Sequence, residues 1–368
     1  GSKTAALLAQ AGVEVVVLEE HREVGRPLHC AGLVSLRTLD HLTDAEVLEE
    51  IRGVRVYPPD GEALEIIAPE PRAVVIDRVA CDRTLASMAA GAGAEMRLGI
   101  RVKEVKIGEE GVRLFTSQEE INARLVIGAD GVRSIVRRSL GAPQPQELLP
   151  AASAEVQRPE DWGKGLVDLY IGRKVAPGFF AWAVPAGDVL RVGVATTPDT
   201  SPRKYLKRLI EAHHWRSITI HGGAIPIGRL KRLHGERALL VGDAAGHVKP
   251  LSGGGLLLGQ LCARHCARHA LDALRSGDLS VRGLGGYTRA CEEEYGKERR
   301  RALMMRKVFT SLTDEEMRKA VELLRSPGVL DVIAAEGDID FPSKLVKPVL
   351  ARAPKLMRFS PQLLKALL

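Results

Sequence analysis

The sequence predicts an α/β fold: a Rossmann-like nucleotide-binding domain, an inserted antiparallel sheet, and a helical, basic C-terminal region. Three stretches carry this reading. Residues 1–19 run as a helix, then a β-branched strand ending in Glu19. Residues 128–137 read Gly-Ala-Asp-Gly-Val-Arg-Ser-Ile-Val-Arg, a strand end, a tight turn and a helix start. Residues 238–259 repeat the pattern: a short apolar strand, Gly242-Asp243, then Gly253-Gly254-Gly255 opening an apolar helix at Leu256. Open α/β sheets bind ligands at the carboxyl ends of their strands. A glycine-rich turn feeding a helix offers bare N–H groups to an anion or an electron-rich ring.

The 368 residues suffice for two domains. No apolar run approaches the ~20 residues of a membrane span, and no signal peptide is read. The 5 cysteines are odd in number and scattered, which predicts a reducing cytoplasm without a disulfide framework. The net charge of +7 suits an anionic partner such as phosphate or a membrane surface, or a merely solvated basic surface. Nucleic acid is not expected.

In chain order, residues 1–12 form a helix closed by Gly12, and residues 13–18 a buried parallel strand. Together they are the second half of a dinucleotide-binding βαβ unit, with Gly1 as the last glycine of G-x-G-x-x-G and Glu19 placed for a ribose. The expectation is that the first strand precedes the sequence given. Residues 21–35, containing Cys30-Ala31-Gly32-Leu33, read as a loop. Residues 43–52 read as a helix with Thr43 as N-cap and acids in its first turns. Residues 53–75 alternate around Pro-Pro-Asp-Gly, a hairpin. Asp77-Arg78 opens a helix through Ala90, followed by strands near 94–106, 111–116 and 123–128. Proline and glutamine at 143–159 mark a boundary. Antiparallel strands fill 165–197, a helix spans 202–214, and a long helix spans 256–275. Everything after Leu284 is helical.

This layout, with the runs at 128–137 and 242–246, resembles the flavin-dependent oxidoreductases of the para-hydroxybenzoate hydroxylase fold. Three details are similar to the geranylgeranyl reductase family: Cys30-Ala-Gly after Gly25-Arg-Pro, Phe180-x-Trp182-x-x-Pro185 before Val192-Gly193, and Val248-Lys-Pro-Leu-Ser-Gly-Gly-Gly255. The resemblance covers residues 1–300. It implies an FAD-binding domain from residues 1–52, 76–150 and 230–283, and an antiparallel substrate domain from 53–75 and 151–229. A basic helical region from 284–368 follows. It also implies that Gly1 approaches the FAD pyrophosphate and Glu19 holds the adenosine ribose. Cys30, Ala31 and Leu33 lie along the flavin, Arg78 contacts the cofactor, and Val102 meets adenine. Asp243 bonds the ribityl chain or pyrophosphate, and Gly254, Gly255 and Leu256 pack on the ring. Where archaeal members have Glu-Gly after the cysteine and its neighbour, this sequence has Gly32-Leu33.

The implied activity is hydrogenation of isolated carbon–carbon double bonds in a prenylated lipid, with electrons from ferredoxin or NAD(P)H. An unactivated alkene develops no oxyanion, so the site must hold it flat on the flavin in an apolar tunnel. Phe179, Phe180 and Trp182 either line that tunnel or form the core of the sheet. Cys30 is the candidate proton donor, or it shapes the flavin pocket. His29 and His247 are weaker proton-relay candidates. Cys262, His265, Cys266 and His269 have metal-like spacing, but the two cysteines and the two histidines occupy different helix faces, so no metal site is expected. Residues 344–368 hold Lys344, Lys347, Arg352, Lys355, Arg358 and Lys365 and no acid. They lie peripherally on anionic lipid or pack against the substrate domain. Two other readings stand beside this one: a flavin monooxygenase of an aromatic or polyketide substrate, and a non-catalytic lipid- or nucleotide-binding protein.

Overall fold

The computed structural model describes residues 1–359. Helix α1 (Ser2–Gln10) buries an alanine-rich face and ends at Gly12, whose φ of +80° only glycine adopts cheaply. Strand β1 (Val16–Glu19) follows. The 21–35 loop leads into β2 (Leu33–Ser35), the single-turn α2 (Leu36–Leu39), and β3 (Val47–Ile51). β4 (Gly53–Tyr57) and β5 (Leu64–Ile67) form the expected hairpin, then come β6 (Ala73–Ile76) and α3 (Arg78–Gly91). Asp77 caps α3 by accepting from Val79 N and Ala80 N.

Next come β7 (Glu95–Leu98), β8 (Val102–Ile107), β9 (Val112–Thr116), β10 (Glu120–Ala123), β11 (Val126–Gly128) and α4 (Ile135–Ser139). The strand expected at 94–106 is two strands, broken where Gly99 turns at φ +73°. β12 (Glu147–Gln157), β13 (Leu166–Ile171), β14 (Phe180–Ala186), β15 (Val189–Ala195), α5 (Pro202–Ala212) and β16 (Ser217–Ile227) follow. The chain returns through β17 (His234–Gly235) and β18 (Ala238–Leu240) to α6 (Leu256–Ser276). It finishes with α7 (Gly285–Ser311), α8 (Asp314–Leu324), α9 (Val329–Glu336) and α10 (Val346–Arg352).

The nucleotide side holds two parallel pairs, β1 with β7 and β11 with β18. α1 packs between α3 and α6, and one apolar core joins Leu8, Val126, Val136, Leu239, Cys262 and Tyr287. The other side is a seven-stranded sheet in the order β16-β12-β15-β14-β13-β4-β5, covered by Leu206 and Leu209 of α5. It is antiparallel except where β4 and β13 run parallel.

One expectation fails. Residues 43–52 are not a helix. Asp44 turns at φ +48°, and β3 pairs antiparallel with β6, burying Ile51 to 4% exposure. The acids that suggested a first helical turn have a distant use. Glu49 takes the Arg158 guanidinium at 2.9 Å, and pairing across the sheet overrides local propensity. Within 143–159, where proline and glutamine mark the expected boundary, β12 runs through the sheet between β15 and β16. Its Pro150 stands just outside the β15 ladder, which begins at Ala151, so its missing N–H costs no bond on that side.

Among the described residues no helix is long and apolar enough to cross a membrane. Pro361 and Lys365 of the basic tail lie outside the described residues.

Candidate cofactor and substrate site

Strand β18 ends at the turn expected to hold the ligand. Gly242 at φ +67° and Gly246 at φ +65° bracket a single 3-10 turn carrying Asp243. The fully buried Arg137 fixes this turn to the one after β11. Its Nη1 donates to the Ala244 carbonyl at 3.1 Å and its Nη2 to the Val132 carbonyl at 2.7 Å. Gly253, Gly254 and Gly255 then lead into α6, whose first turn no side chain caps. Its leading N–H groups are therefore free for a ligand. A Cβ on Gly255 would lie 3.3 Å from Asp243 Oδ1, and one on Gly254 would lie 2.9 Å from Lys249 Cε. The backbone there is packed as close as glycine allows.

The cysteine loop lies beside Arg78, whose charge acts on Asp243. A cleft of about 220 Å³ is lined by Glu19, Gly25, Pro27, Cys30, Arg78 and Asp82 among others. Cys30 is exposed, and its Sγ accepts from Gly32 N at 3.4 Å. Arg78 Nη2 makes a two-oxygen contact with Asp82, 3.1 Å to each. Its Nε is buried without a partner among the described residues. Burial works against the Arg78 charge, but Cys30 and Asp82 outweigh it and hold its pKa above the ordinary value. Burial raises the Asp243 carboxyl, and Arg78 and His247 pull it partly back. Arg78 and Asp243 thus share one electrostatic site.

Glu19 ends β1 in the same cleft, where its carboxylate accepts from His21 N at 2.9 Å. Ile100 N donates to the Glu19 carbonyl at 2.9 Å. Val102 thus begins its strand two residues from the Glu19 strand end; it does not line the cleft, and its side chain packs into the core. Gly1 reaches the other turn: a Cβ on it would lie 3.3 Å from Ala129 Cβ. Ala31 and Leu33 pack with Val75 and Trp182, and Leu256 packs beside Val34 and Ile76.

The aromatic run adjoins the glycine cradle. Phe179 and Phe180 stack with centroids 4.2 Å apart, and Phe180 meets Trp182 edge-on at 6.0 Å. Phe179 is 1% exposed and belongs to the core, whereas Phe180 and Trp182 are half-buried. A Cβ on Gly253 would lie 3.3 Å from Phe179 Cζ and 3.1 Å from Ile225 Cδ1, so the aromatic cluster abuts the cofactor turn.

Three site residues escaped the sequence reading. Arg191 of β15 is 9% exposed, and its Nη1 donates to the carbonyls of Ala31 and Ile76, 3.2 Å each. It holds the cysteine loop from the substrate sheet. Lys249 and Asp340 form a buried ion pair at 2.8 Å. A charged residue alternating with apolar ones inside a strand was the one available signal for Arg191.

Gly32 is the loop's tightest point. Its φ is +81°, and a Cβ would lie 2.6 Å from the Ile76 carbonyl oxygen and 2.7 Å from Arg191 Nη1. Gly32→Ala is expected to cost about 2 kcal/mol or more, lowering Tm by roughly 3 °C or more. Calorimetry checks this; an unchanged Tm would contradict the packing described.

An uncapped helix start over a glycine cradle, an unpartnered buried Arg78 Nε and an acid at a strand end suit a flavin dinucleotide. Fold and site together define a flavin-dependent oxidoreductase. The family described as FAD binding domain matches residues 1–263. The sequence is 30% identical to digeranylgeranylglycerophospholipid reductase 2 of Methanopyrus kandleri, over 99% of this chain and 97% of that protein. It is 31% identical to digeranylgeranylglycerophospholipid reductase of Methanothrix thermoacetophila, over 89% of this chain and 90% of that protein. A geranylgeranyl bacteriochlorophyll reductase-like protein of Thermoplasma acidophilum superposes with a TM-score of 0.84 at 22% identity, covering 99% of this chain and 96% of that one. The halogenase PltM, solved with FAD, shares the fold at TM-score 0.68 and 16% identity, over 100% of this chain and 94% of that one. The chain belongs to the FAD-binding geranylgeranyl reductase family, and FAD is its cofactor.

Proposed function

We propose that this enzyme hydrogenates isolated double bonds in the geranylgeranyl chains of membrane glycerophospholipids. The observation that carries this is the half-buried apolar surface of Phe180, Trp182 and Ile225, which abuts the Gly253 turn through Ile225 and the core residue Phe179. An apolar chain held there lies beside the cofactor cradle with no charged group needed to polarise it. The relatives' names, digeranylgeranylglycerophospholipid reductase, support the same substrate.

When bound, FAD in its reduced form supplies hydride. Gly1 and the start of α6 would hold its phosphates and ring edge, Glu19 the adenosine ribose, and Asp243 the hydroxyls of the ribityl chain. The N-terminal end of α6 carries roughly half a positive charge, which favours negative charge at the ring edge. Phe180 and Trp182 orient the prenyl chain and exclude water. Cys30, at the mouth of the cleft and beside Arg78, is the proton donor. Electrons come from ferredoxin or NAD(P)H. The basic helix around Lys344, Lys347 and Arg352 rests on anionic headgroups, each cation contributing ~1 kcal/mol near the surface.

The test is anaerobic incubation of FAD-loaded enzyme, reductant and a digeranylgeranyl phospholipid. Product masses should rise in steps of two hydrogens, and Cys30→Ala should slow turnover while leaving bound FAD unchanged. A strict requirement for oxygen, with no saturated product under argon, would overturn the proposal in favour of a monooxygenase.

A further inference from the structure

Behind the cofactor turn, three chemistry-bearing side chains meet that the reductase reaction does not use. Cys262 of α6, Cys291 of α7 and a ring nitrogen of His247 all lie within 4.8 Å of one another. They are 2%, 1% and 1% exposed. They come from three separate segments, so no local spacing produced the cluster.

Its hydrogen bonding argues against a metal ion. The Gly242 N–H donates to His247 Nδ1 at 3.2 Å. A backbone N–H can only donate, so Nδ1 is the bare nitrogen and the neutral ring carries its proton on Nε2. One lone pair is therefore taken and the other nitrogen is protonated, which leaves the imidazole no free pair for a cation. Two thiols alone fall short of the four ligands of a closed structural zinc site. The buried His247 Nε2 has no hydrogen-bond partner among the described residues.

Two thiols this close have a different reaction open to them. We propose that Cys262 and Cys291 are a redox-active dithiol, oxidised by hydrogen peroxide to a disulfide that staples α6 to α7 behind the cofactor turn. The Cys291 sulfur attacks one peroxide oxygen. The O–O bond breaks, hydroxide leaves and takes up a proton, and Cys291 becomes a sulfenic acid. The Cys262 sulfur then attacks the Cys291 sulfur, an S–S bond forms, the S–O bond breaks, and the second water leaves with the Cys262 proton. Two thiols and one peroxide give one disulfide and two waters. The sulfurs must close to about 2.05 Å, which requires side-chain rotation.

The pair is already polarised for this. Hydrogen bonding from Cys262 draws the Cys291 thiol below its ordinary value, against burial. The Cys262 thiol is pushed up by its bond to Cys291 and by burial. One sulfur is thus the nucleophile and the other keeps its proton. Cys266, one helical turn along, lacks this arrangement. Burial pushes its thiol up to about 12, which makes it an internal control.

The test uses FAD-loaded protein treated with hydrogen peroxide, then unfolded in N-ethylmaleimide, digested with trypsin and analysed by mass spectrometry without reductant. Arg264 separates Cys262 from Cys266 in the digest. A Cys262–Cys291 cross-linked peptide is expected, lost on dithiothreitol treatment and absent from Cys291→Ser. Should that variant fail to fold, Cys262→Ala makes the same comparison. Recovery of both residues as maleimide adducts while exposed Cys30 is oxidised would overturn the proposal. So would a Cys291–Cys266 link, or one equivalent of zinc that survives chelation and protects both thiols. None of these readouts depends on lipid turnover, so the test stands apart from the reductase assignment.

Discussion

Asp243→Ala is expected to weaken FAD binding by about 10- to 100-fold, the effect of losing a charged hydrogen-bonding group worth about 1.5–3 kcal/mol, while the apo protein stays folded. The carboxylate sits on a turn closed by Gly242 and Gly246 and tied down by Arg137, none of which the substitution touches. The apo protein gives the sharper test. Burial raises the Asp243 carboxyl in the folded chain, and Arg78 and His247 only partly offset it. The folded state therefore holds this proton more tightly than the unfolded chain does. Stability from this group is unaffected below the unfolded value of about 3.9 and is lost as pH rises through the higher folded value. Above the unfolded value, keeping this carboxyl buried costs the apo protein stability, whether by holding a proton or by burying a charge, so Asp243→Asn should match or exceed wild-type Tm without cofactor and fall below it with FAD. Melts from pH 4 to pH 8 with and without FAD check both signs. A variant that keeps FAD at wild-type affinity would remove Asp243 from the cofactor site.

The parts of the fold legible in the sequence were those set by local chemistry. Asp77 announced α3 because an aspartate before an apolar periodic run caps a helix whatever surrounds it. The Pro58-Pro59 hairpin and the glycine turns at 128–137 and 242–255 were legible for the same reason. What failed was set by distant partners. Glu49 reads as a helix acid until Arg158 arrives from 109 residues away. Arg191 reaches Ala31 across 160 residues, so nothing near either residue signals that the cysteine loop is held from the substrate sheet. The partners of Cys262 were hidden for the same reason. Helical periodicity does set Cys262 apart from His265, but the partners of Cys262 are on α7 and on the cofactor turn. His265 instead meets Glu294 at 2.8 Å.

Asp340→Ala is expected to be the most destabilising single change, because one carboxylate joins three segments. Its Oδ1 accepts from Lys249 Nζ at 2.8 Å, and its Oδ2 accepts from Ser35 Oγ at 2.5 Å and Arg37 Nη1 at 3.1 Å. Ser35 ends the strand after the cysteine loop, Lys249 lies in the cofactor turn, and Asp340 comes from the C-terminal helical region. Asp340 is 0% exposed and Lys249 8% exposed. Removing the carboxylate leaves a buried ammonium with only the Ile339 carbonyl, 3.3 Å away. Breaking one side of such a pair costs about 3–5 kcal/mol, a Tm loss of roughly 4–6 °C for a chain of this length. Lys249→Met should cost less, because Asp340 keeps Ser35 and Arg37. The double variant should recover part of the Asp340→Ala loss, since no charge is then stranded. Denaturant melts of the four proteins give the coupling, and additivity within about 0.5 kcal/mol would mean the pair is not an energetic unit. Lys249 Cε lies where a Cβ of Gly254 would stand, 2.9 Å away, so a displaced lysine disturbs the cofactor cradle. Asp340→Ala should therefore also weaken FAD binding, although Asp340 lies on no wall of the cleft. The C-terminal region thus bears on the proposed cofactor site: Asp340 supplies the charge that lets Lys249 be buried beside the Gly254 turn.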